Sequence, residues 1–410
     1  MVMNGIPIYY GDTPVGALSR TEEGGYCLDY DAEWQGQGFS VSVLLPVDEA
    51  HHEGAKVEYY VENLLPEGEL RKALSTKFGI SNNNYYDLVL AIGKDCAGAF
   101  SIGASQSSGS YVPLTPDELQ RELQHLRAYH LPGEQEGRSY SLAGAQDKEV
   151  LFEEKGVFHL PLHGAASNCI VKTPGRHEGS VENELFCMKL AKAAGLEVSE
   201  VEYLPLPDIS SLKITRYDRT GKGRAITRVP QEDFCQLSAL PSSKKYEKEG
   251  GPSFADCARL IREYSNVPAR DLLRLVDWAG FNLAIGNMDA HAKNLSLFLD
   301  NDGVKRLAPF YDLISTRFYP PEIVNGDLAM SIGGRYNPER IGSRQWEAFA
   351  GNIGLTPAVV AKRLRGIWGN VIAALPDTLQ ETLALLPAAG ILPELKKQIL
   401  QRTMKLNRNL

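Results

Sequence analysis

The hydrophobic pattern of this 410-residue chain changes near Gln231. Before that position, short apolar runs alternate with turn residues and helical stretches, which is typical of small antiparallel strands. After it, apolar residues recur at helical spacing almost to the end of the chain, apart from a hairpin predicted over 295–299 and 304–307. The pattern predicts an α+β protein with a mixed N-terminal part and a mostly helical C-terminal part.

Composition shifts predict three domains, over residues 1–105, 106–228 and 229–410, and the first boundary is the Ser/Gly-rich stretch 104–111. Helices are predicted by apolar periodicity and by capping residues such as Thr115 followed by Pro116. The predicted helices are 56–78 with an interruption at Pro66, 85–92, one starting at 115–118, 180–194, 254–264, 270–285, 344–352, 357–374 and 393–404, and the predicted strands are 149–152, 158–162, 169–172 and 212–217.

Charge and cysteine usage limit the class of protein. The net charge of -8 argues against binding nucleic acid through the overall field, so any DNA contact is predicted to be local or made by a partner. The six cysteines are scattered, without a Cys-x-x-Cys pair or a Cys/His group at zinc spacing, and are predicted to be reduced packing residues. We found neither a signal peptide pattern nor a membrane-spanning run, so we expect a cytoplasmic protein without membrane association.

The polar segment 286–294 follows a predicted buried helix and leads into the hairpin. Asp289 and Asn294 have the spacing of the Asp and Asn in the kinase catalytic loop, where Asp accepts the hydroxyl proton and Asn binds Mg²⁺. Asp312, just past the hairpin, stands where a kinase places its second metal-binding carboxylate. Taken singly, Asp and Asn in a loop are more often turn residues than ligands, but their order along the chain favours the site of a phosphoryl-transfer enzyme.

Residues upstream suit the binding of ATP phosphates. Lys172 ends an apolar strand, and Glu184 on the following helix is positioned to orient it; the alternatives are an ordinary strand-end lysine and a solvated glutamate. In place of a Gly-x-Gly-x-x-Gly motif, a small-residue loop covers 140–148. Its backbone could approach phosphates, although by itself it is merely a turn.

At these residues the chain resembles the HipA family of bacterial toxin kinases. The similar blocks follow one another in the family's order over nearly the whole chain, and the part after Gly342 matches only as a helical pattern. These blocks are VENLLPEG (61–68), IGKDCAGA (92–99), SLAGAQDK (141–148), CIVKTP (169–174), VENELFCMKLAKAAGL (181–196), TRYDR (215–219), VPQEDFCQ (229–236), LPSSKKYEKEGGPS (240–253), NMDAHAKN (287–294) and PFYDLIS (309–315).

The resemblance implies a two-lobe kinase-like fold with an extra N-terminal subdomain, in which 106–228 form the N-lobe and 229–410 the C-lobe. It also implies ATP and Mg²⁺ as cofactors. The implied site residues are Asp289 as base, with His291 and Asn294 beside it; Asn294 and Asp312 as Mg²⁺ ligands; Lys172, Glu184 and Lys293 for the nucleotide; Thr215, Arg216 and Tyr217 as a hinge beside adenine; Gln231, Glu232 and Asp233 as supports; and Ser141, Ala143, Gly144, Ala145 and Gln146 in the phosphate loop, where Ser141 would be autophosphorylated as an off-switch.

As a member of that family, the protein would be a serine/threonine protein kinase and the toxin of a toxin-antitoxin pair linked to persistence. Its expected partners are a HipB-like helix-turn-helix antitoxin, which would supply the DNA contact, and a translation protein such as an aminoacyl-tRNA synthetase as substrate. Two alternatives stay open. One is a catalytically silenced regulator that acts as corepressor with the antitoxin. The other is a small-molecule kinase of the aminoglycoside-phosphotransferase type, which the 141–148 loop and the N-terminal region disfavour.

Overall fold

The computed structural model describes residues 5–133, 135–138, 144, 147–175, 177–300, 302–320, 322, 326–386 and 389–410. The chain folds into two compact units, Met1–Thr173 with Leu204–Ser242, and Pro174–Tyr203 with Ser243–Leu410. Helices and largely antiparallel strands are both abundant, so the fold is α+β, as predicted. Among the helices of the described residues, none combines the length and apolarity that a membrane crossing requires.

The first unit begins with a five-stranded antiparallel sheet. Its strands lie in the order β4-β3-β2-β1-β5. They are β1 (Ile6–Tyr10), β2 (Thr13–Arg20), β3 (Tyr26–Tyr30), β4 (His51–Glu53) and β5 (Phe100–Ile102). One face of the sheet packs into a core with buried residues of the helices that follow, including Trp34 and Val61. The predicted small antiparallel strands are therefore confirmed.

Four helices accompany this sheet: α1 (Ala32–Gln37), α2 (Ala55–Leu64), α3 (Gly68–Phe78) and α4 (Tyr85–Ile92). The helical pattern predicted over 56–78 is present, and its interruption at Pro66 separates α2 from α3 because proline cannot donate the backbone hydrogen bond that a helix interior needs. Helix α1 is short and was not predicted; Asp31 caps it by accepting hydrogen bonds from the backbone of Glu33 and Trp34.

A second antiparallel sheet in the first unit holds β9 as a central strand. The six strands lie in the order β10-β11-β9-β7-β8-β6, and α5 packs on β7. The elements are β6 (Ser110–Pro113), α5 (Pro116–Tyr129), β7 (Lys148–Glu154), β8 (Val157–Leu162), β9 (Cys169–Lys172) and β11 (Ser210–Thr215). Strand β10 (Val201–Pro205) leads the chain back into this unit, and β12 (Arg219–Lys222), β13 (Ala225–Arg228) and β14 (Gln231–Asp233) follow β11.

The second unit is mostly helical, as predicted. A hairpin of β15 (Ser296–Leu299) and β16 (Lys305–Leu307) interrupts it, and α10 packs against α6, α8, α9 and α11. The helices are α6 (Ser180–Ala193), α7 (Phe254–Tyr264), α8 (Pro268–Ile285), α9 (Ser343–Asn352), α10 (Pro357–Leu385) and α11 (Leu392–Asn409).

Several helix ends differ from the sequence-based expectation, among them the end of α11, which lies at Asn409 instead of 404. Helix α10 continues through Pro376 to Leu385, although the pattern predicted an end at 374. Proline removes one backbone hydrogen bond, but the buried Leu375 and Thr378 keep this helix packed on both sides of it, and packing outweighs local propensity. Helix α6 begins at the predicted Ser180, after Gly179, and the hydroxyl of Ser180 accepts from the Gly175 N–H at 2.7 Å.

Candidate active site

The predicted catalytic loop leaves the end of α8 at a glycine that no other residue could replace without strain. Gly286 has a φ of +76°, in the left-handed region, and caps α8 with its N–H bonded to the Asn282 carbonyl. A Cβ at this position would lie 2.5 Å from the Arg402 guanidinium. The close contact and the backbone conformation together fix the direction in which the loop leaves the helix.

Asn287, the next residue, connects the two parts of the loop that carry carboxylates. Its Nδ2 donates to Asn282 Oδ1 at 2.8 Å and to the Asp312 carbonyl at 3.3 Å, while its Oδ1 accepts from the Asp289 N–H at 3.1 Å. The side chain is buried. Asn287 therefore brings the backbones of Asp289 and Asp312 together, a role that the sequence did not reveal although the residue lies in a similar block.

The structure places Asp312 in a backbone conformation that is rare for its residue type. Its φ of +55° lies in the left-handed region, where aspartate is tolerated more readily than most residues. Such conformations persist when surrounding contacts enforce them, and they cluster at functional sites. The contact of the Asp312 carbonyl with Asn287 is one of these contacts.

His291, Lys293 and Asn294 are buried within the same short segment. The His291 N–H donates to the Asp289 carbonyl, and the Asn294 N–H donates to the His291 carbonyl, each at 2.9 Å. The Tyr311 hydroxyl then donates to the Lys293 carbonyl at 2.8 Å. These bonds, two between backbone groups and one from the Tyr311 hydroxyl, hold the predicted base, histidine and metal ligand in one short segment.

The side chain of Asp289, the predicted base, is exposed. The Tyr246 hydroxyl donates a hydrogen bond to Asp289 Oδ1 at 2.5 Å. The Tyr246 ring also packs edge-on against His291, with ring centroids 5.3 Å apart and an interplanar angle of 89°. Sequence reasoning did not single out Tyr246, although it lies in a block that resembles the family.

Glu184 and the segment after Asp312 are held by the same helix. Glu184 is buried on α6, not on its solvated face. Its neighbour Asn183 donates from Nδ2 to the Ser315 carbonyl at 3.0 Å and accepts from the Ser315 N–H at 2.9 Å. Asn183 therefore fixes the chain just after Asp312 against α6.

In the first unit, Lys172 is the last residue of β9 and is buried. In the ladder it lies opposite Lys148 of β7 on one side and Leu212 of β11 on the other. Lys172 therefore lies where the sequence analysis placed it, at the end of a central apolar strand.

Of the predicted phosphate loop, Gly144, Asp147 and Lys148 are described, whereas Ser141, Ala143, Ala145 and Gln146 lie outside the described residues. Gly144 has a φ of +106°, and its carbonyl accepts from the Glu67 N–H at 3.1 Å. A Cβ at this position would lie 2.7 Å from Lys148 Nζ, so glycine allows the lysine to approach the loop backbone.

The predicted hinge residues differ in environment. Thr215 ends β11 and is exposed, whereas the Arg216 guanidinium is buried and bonded to Asp218, Asp95 and Ser167. The Tyr217 hydroxyl donates to the side-chain oxygen of Gln231. The Arg216 side chain is therefore part of the buried framework, and its backbone is also bonded within the protein, because its N–H donates to the Asn168 carbonyl at 3.0 Å.

Glu232 and Asp233, predicted as supports, make local structural contacts within the first unit. Glu232 accepts from the Ser42 hydroxyl and, at 3.0 Å, from the Val43 N–H. Asp233 Oδ1 accepts from the backbone N–H groups of Cys235 and Gln236 at 2.8 and 2.9 Å.

Both parts of the chain are similar to proteins of the HipA family. A family model described as "HipA-like C-terminal domain" matches residues 140–379, and one described as "HipA N-terminal domain" matches residues 6–103. The serine/threonine-protein kinase toxin HipA of Shewanella oneidensis is 29% identical over 97% of this chain and 94% of its own length. The protein called "Putative kinase Y4mE" of Sinorhizobium fredii is 33% identical over 93% of both chains.

A solved structure is similar to this chain over nearly its whole length. HipA of Shewanella oneidensis, solved in a complex with HipB and operator DNA, is similar with a TM-score of 0.85 and 28% identity, over 98% of this chain and 97% of that one. The chain belongs to the HipA family, whose relatives are named as kinases. The family resemblance and the kinase-like fold predicted from the sequence are therefore confirmed.

Proposed function

We propose that this protein is an ATP- and Mg²⁺-dependent serine/threonine protein kinase and the toxin of a HipA/HipB-like pair. The observation that carries the proposal is the loop in which Asn287 bonds the backbones of both Asp289 and Asp312. Because phosphoryl transfer depends mainly on alignment and charge stabilisation, a rigid frame around two carboxylates is what the chemistry requires.

The donor set suits magnesium. Asp312 offers a carboxylate and Asn294 an amide oxygen, and hard oxygen donors in small number are what Mg²⁺ takes up beside nucleotide phosphates. When bound, the ion would neutralise charge on the phosphates. Lys172 and, through its backbone, Gly144 would hold the nucleotide phosphates, and Glu184 is the buried carboxylate proposed for Lys172.

Asp289 would accept the proton of a serine or threonine hydroxyl. The Tyr246 hydroxyl already donates to this carboxylate, so an alcohol can reach Oδ1 in hydrogen-bonding geometry. His291, bonded through its backbone to Asp289, would keep the loop in place.

Removal of the base tests the proposal directly. Asp289→Asn keeps the shape of the side chain but removes its charge, and we expect at least the roughly 10²- to 10⁴-fold loss that is typical for a general base. Radiolabelled ATP with and without a bacterial lysate is the assay, and Asp312→Asn should lose activity through the metal. Asp327→Asn, at a surface aspartate bonded to Lys248, is the matched control and should label as the wild type does.

The outcomes separate the candidate functions. A labelled protein band that disappears in Asp289→Asn supports a protein kinase. Label confined to a small molecule would show a small-molecule kinase, and an inert wild-type protein that still assists an antitoxin would show the corepressor alternative. Wild-type turnover in Asp289→Asn would overturn the assignment of the site.

The partners follow from the family. The related HipA of Shewanella oneidensis was solved with HipB and operator DNA, and the net charge of -8 makes this chain a poor DNA binder by itself. We therefore propose a HipB-like helix-turn-helix antitoxin, tested by co-purification with the product of a neighbouring reading frame and by a DNA affinity that falls as salt rises. A pull-down with Asp289→Asn, followed by phosphosite mapping, tests whether the substrate is an aminoacyl-tRNA synthetase.

We further propose that autophosphorylation of Ser141 switches the kinase off. A phosphate group adds a charge of about -1.5 to -2, which would oppose the phosphates of a nucleotide bound beside Gly144 and Lys172. Mass spectrometry should find phosphate on Ser141 in the wild type and none in Asp289→Asn, with tighter nucleotide binding by the latter. An unmodified Ser141 in active enzyme incubated with Mg²⁺-ATP would refute the switch.

A further inference from the structure

Four side chains with metal-binding groups project from one face of the N-terminal sheet, in the first unit. In the antiparallel ladder of β3 and β4, Cys27 lies opposite Glu53, and Asp29 lies opposite His51. Opposite residues share a face of the sheet, and so do residues two apart on one strand. The residue between Cys27 and Asp29, Leu28, is buried in the core on the other face.

The donor atoms of three of these residues converge. The Cys27 sulfur, an imidazole nitrogen of His51 and a carboxylate oxygen of Glu53 all lie within 4.8 Å of one another. His51 Nε2 lies 3.7 Å from Glu53 Oε2. Tetrahedral zinc with bonds of about 2.0–2.3 Å sets its donors roughly 3.3–3.6 Å apart, so small side-chain rotations would close the site.

The second nitrogen of the imidazole is already oriented. His51 Nδ1 lies 2.7 Å from Asp29 Oδ1, which leaves Nε2 directed toward Glu53. A carboxylate on the non-ligating nitrogen is the arrangement that usually fixes a metal-binding histidine and raises its basicity. Exposed acidic side chains that meet by chance would not need a histidine oriented by a second carboxylate in this way.

We propose that Cys27, His51 and Glu53 bind one divalent ion of the zinc type, with Asp29 as the residue that orients His51. A mixed set of thiolate, imidazole and carboxylate favours zinc over magnesium or calcium, which prefer oxygen ligands alone. Water or a partner protein would complete the coordination. This site is distinct from the magnesium site of the proposed kinase and shares no residue with it.

The position of the site suggests what the ion does. Strand β4 has only three residues and forms the edge of the sheet, where β3 is its neighbour. Charged residues at an edge also discourage pairing with another chain, but that role requires neither a buried thiol nor a converging imidazole. An ion bound by residues of both strands would fasten the edge strand to the sheet.

Cobalt provides a spectroscopic test that is independent of kinase activity. Full-length, reduced protein is stripped with a chelator and titrated with Co²⁺ alone, and we expect one ion per chain with a thiolate-to-cobalt absorption band that Zn²⁺ then removes. Cys27→Ser should lose the thiolate band. Because Cys27 is buried while His51 and Glu53 are exposed, His51→Asn and Glu53→Gln test the site without disturbing the core, and each should weaken binding at least about 10-fold.

Two further variants distinguish the orienting residue Asp29 from the metal ligands and control for the loss of a histidine elsewhere. Asp29→Asn should weaken binding by roughly 10- to 100-fold and keep the thiolate band at saturating Co²⁺, since it removes a partner of the ligand and not a ligand. His125→Asn, at an exposed histidine of α5, should leave binding unchanged. If the wild type binds no cobalt, lacks the thiolate band, or binds as well after His51→Asn, the proposal is wrong.

Discussion

Removal of the Asp95 charge should destabilise the first unit more than any surface substitution. Asp95 is fully buried, and three arginines converge on its carboxylate. Oδ1 lies 2.9 Å from Arg219 and 3.0 Å from Arg228, and Oδ2 lies 3.3 Å from Arg216. Burial raises the pKa of Asp95, but the three guanidinium groups outweigh burial and hold the pKa well below its usual range.

The magnitude follows from the charges left behind. In Asp95→Asn the three guanidinium groups keep their positions, and among these contacts Asp218 is the remaining carboxylate, bonded to Arg216 and Arg219 at 2.8 and 2.9 Å. Removal of one partner from a buried ion pair typically costs about 3–5 kcal/mol, because the other charge stays buried. For a folding unit of this size, about 1 kcal/mol shifts Tm by roughly 2–4 °C, so we expect a fall of roughly 6–20 °C.

Thermal and urea unfolding followed by circular dichroism measure this change. The matched control is Glu69→Gln, which removes an exposed ion pair with Lys72 and should change stability by no more than about 1 kcal/mol. If Asp95→Asn unfolds within about 1 kcal/mol of the wild type, the buried cluster does not carry the stability that its geometry implies.

Two further predictions concern other buried or bonded groups. Burial raises the pKa of Glu149 to about 7 from 4.5, despite the Arg138 guanidinium at 2.7 Å. As pH rises from 4.5 to 7, the folded protein loses a proton that the unfolded chain has already lost. The free energy of unfolding should therefore fall by roughly 3 kcal/mol over this range. Urea unfolding between pH 4.5 and 7.5 should show this fall, and Glu149→Gln should abolish it; a wild-type stability that rises over that range would contradict the shift. Tyr246→Phe should lower KM for the protein substrate up to about 10-fold with kcat little changed, because it removes a hydroxyl that competes with the substrate for the Asp289 carboxylate. An unchanged or higher KM in steady-state kinetics would show that Tyr246 does not compete.

Local signals made several elements predictable. Thr115, Pro116 and Glu118 predicted the start of α5, and the structure shows the complete capping box there. Helix α7 and strand β9 have the predicted bounds, 254–264 and 169–172, because strong apolar periodicity or a compact apolar run determined each from its own residues.

Contacts between distant residues could not be predicted in this way. The role of Asn287 depends on a bond to the Asp312 backbone, which no local pattern encodes. The same limit applies to Cys27 and His51, because a search for zinc spacing along the chain passes over ligands that meet only through the register of two strands. The resemblance to a family supplied the order of the site residues, whereas the backbone bonds that hold them required the structure.

The buried charge cluster limits how the gene for this protein can be divided. Asp95 falls within the residues matched by the N-terminal family model, 6–103, whereas Arg216, Arg219 and Arg228 fall within those matched by the C-terminal model, 140–379. A gene fragment that encoded only the second part would leave three cations without their shared counterion. A recombination event that separated the two segments would therefore give a less stable protein, and we expect both segments to occur together in one gene.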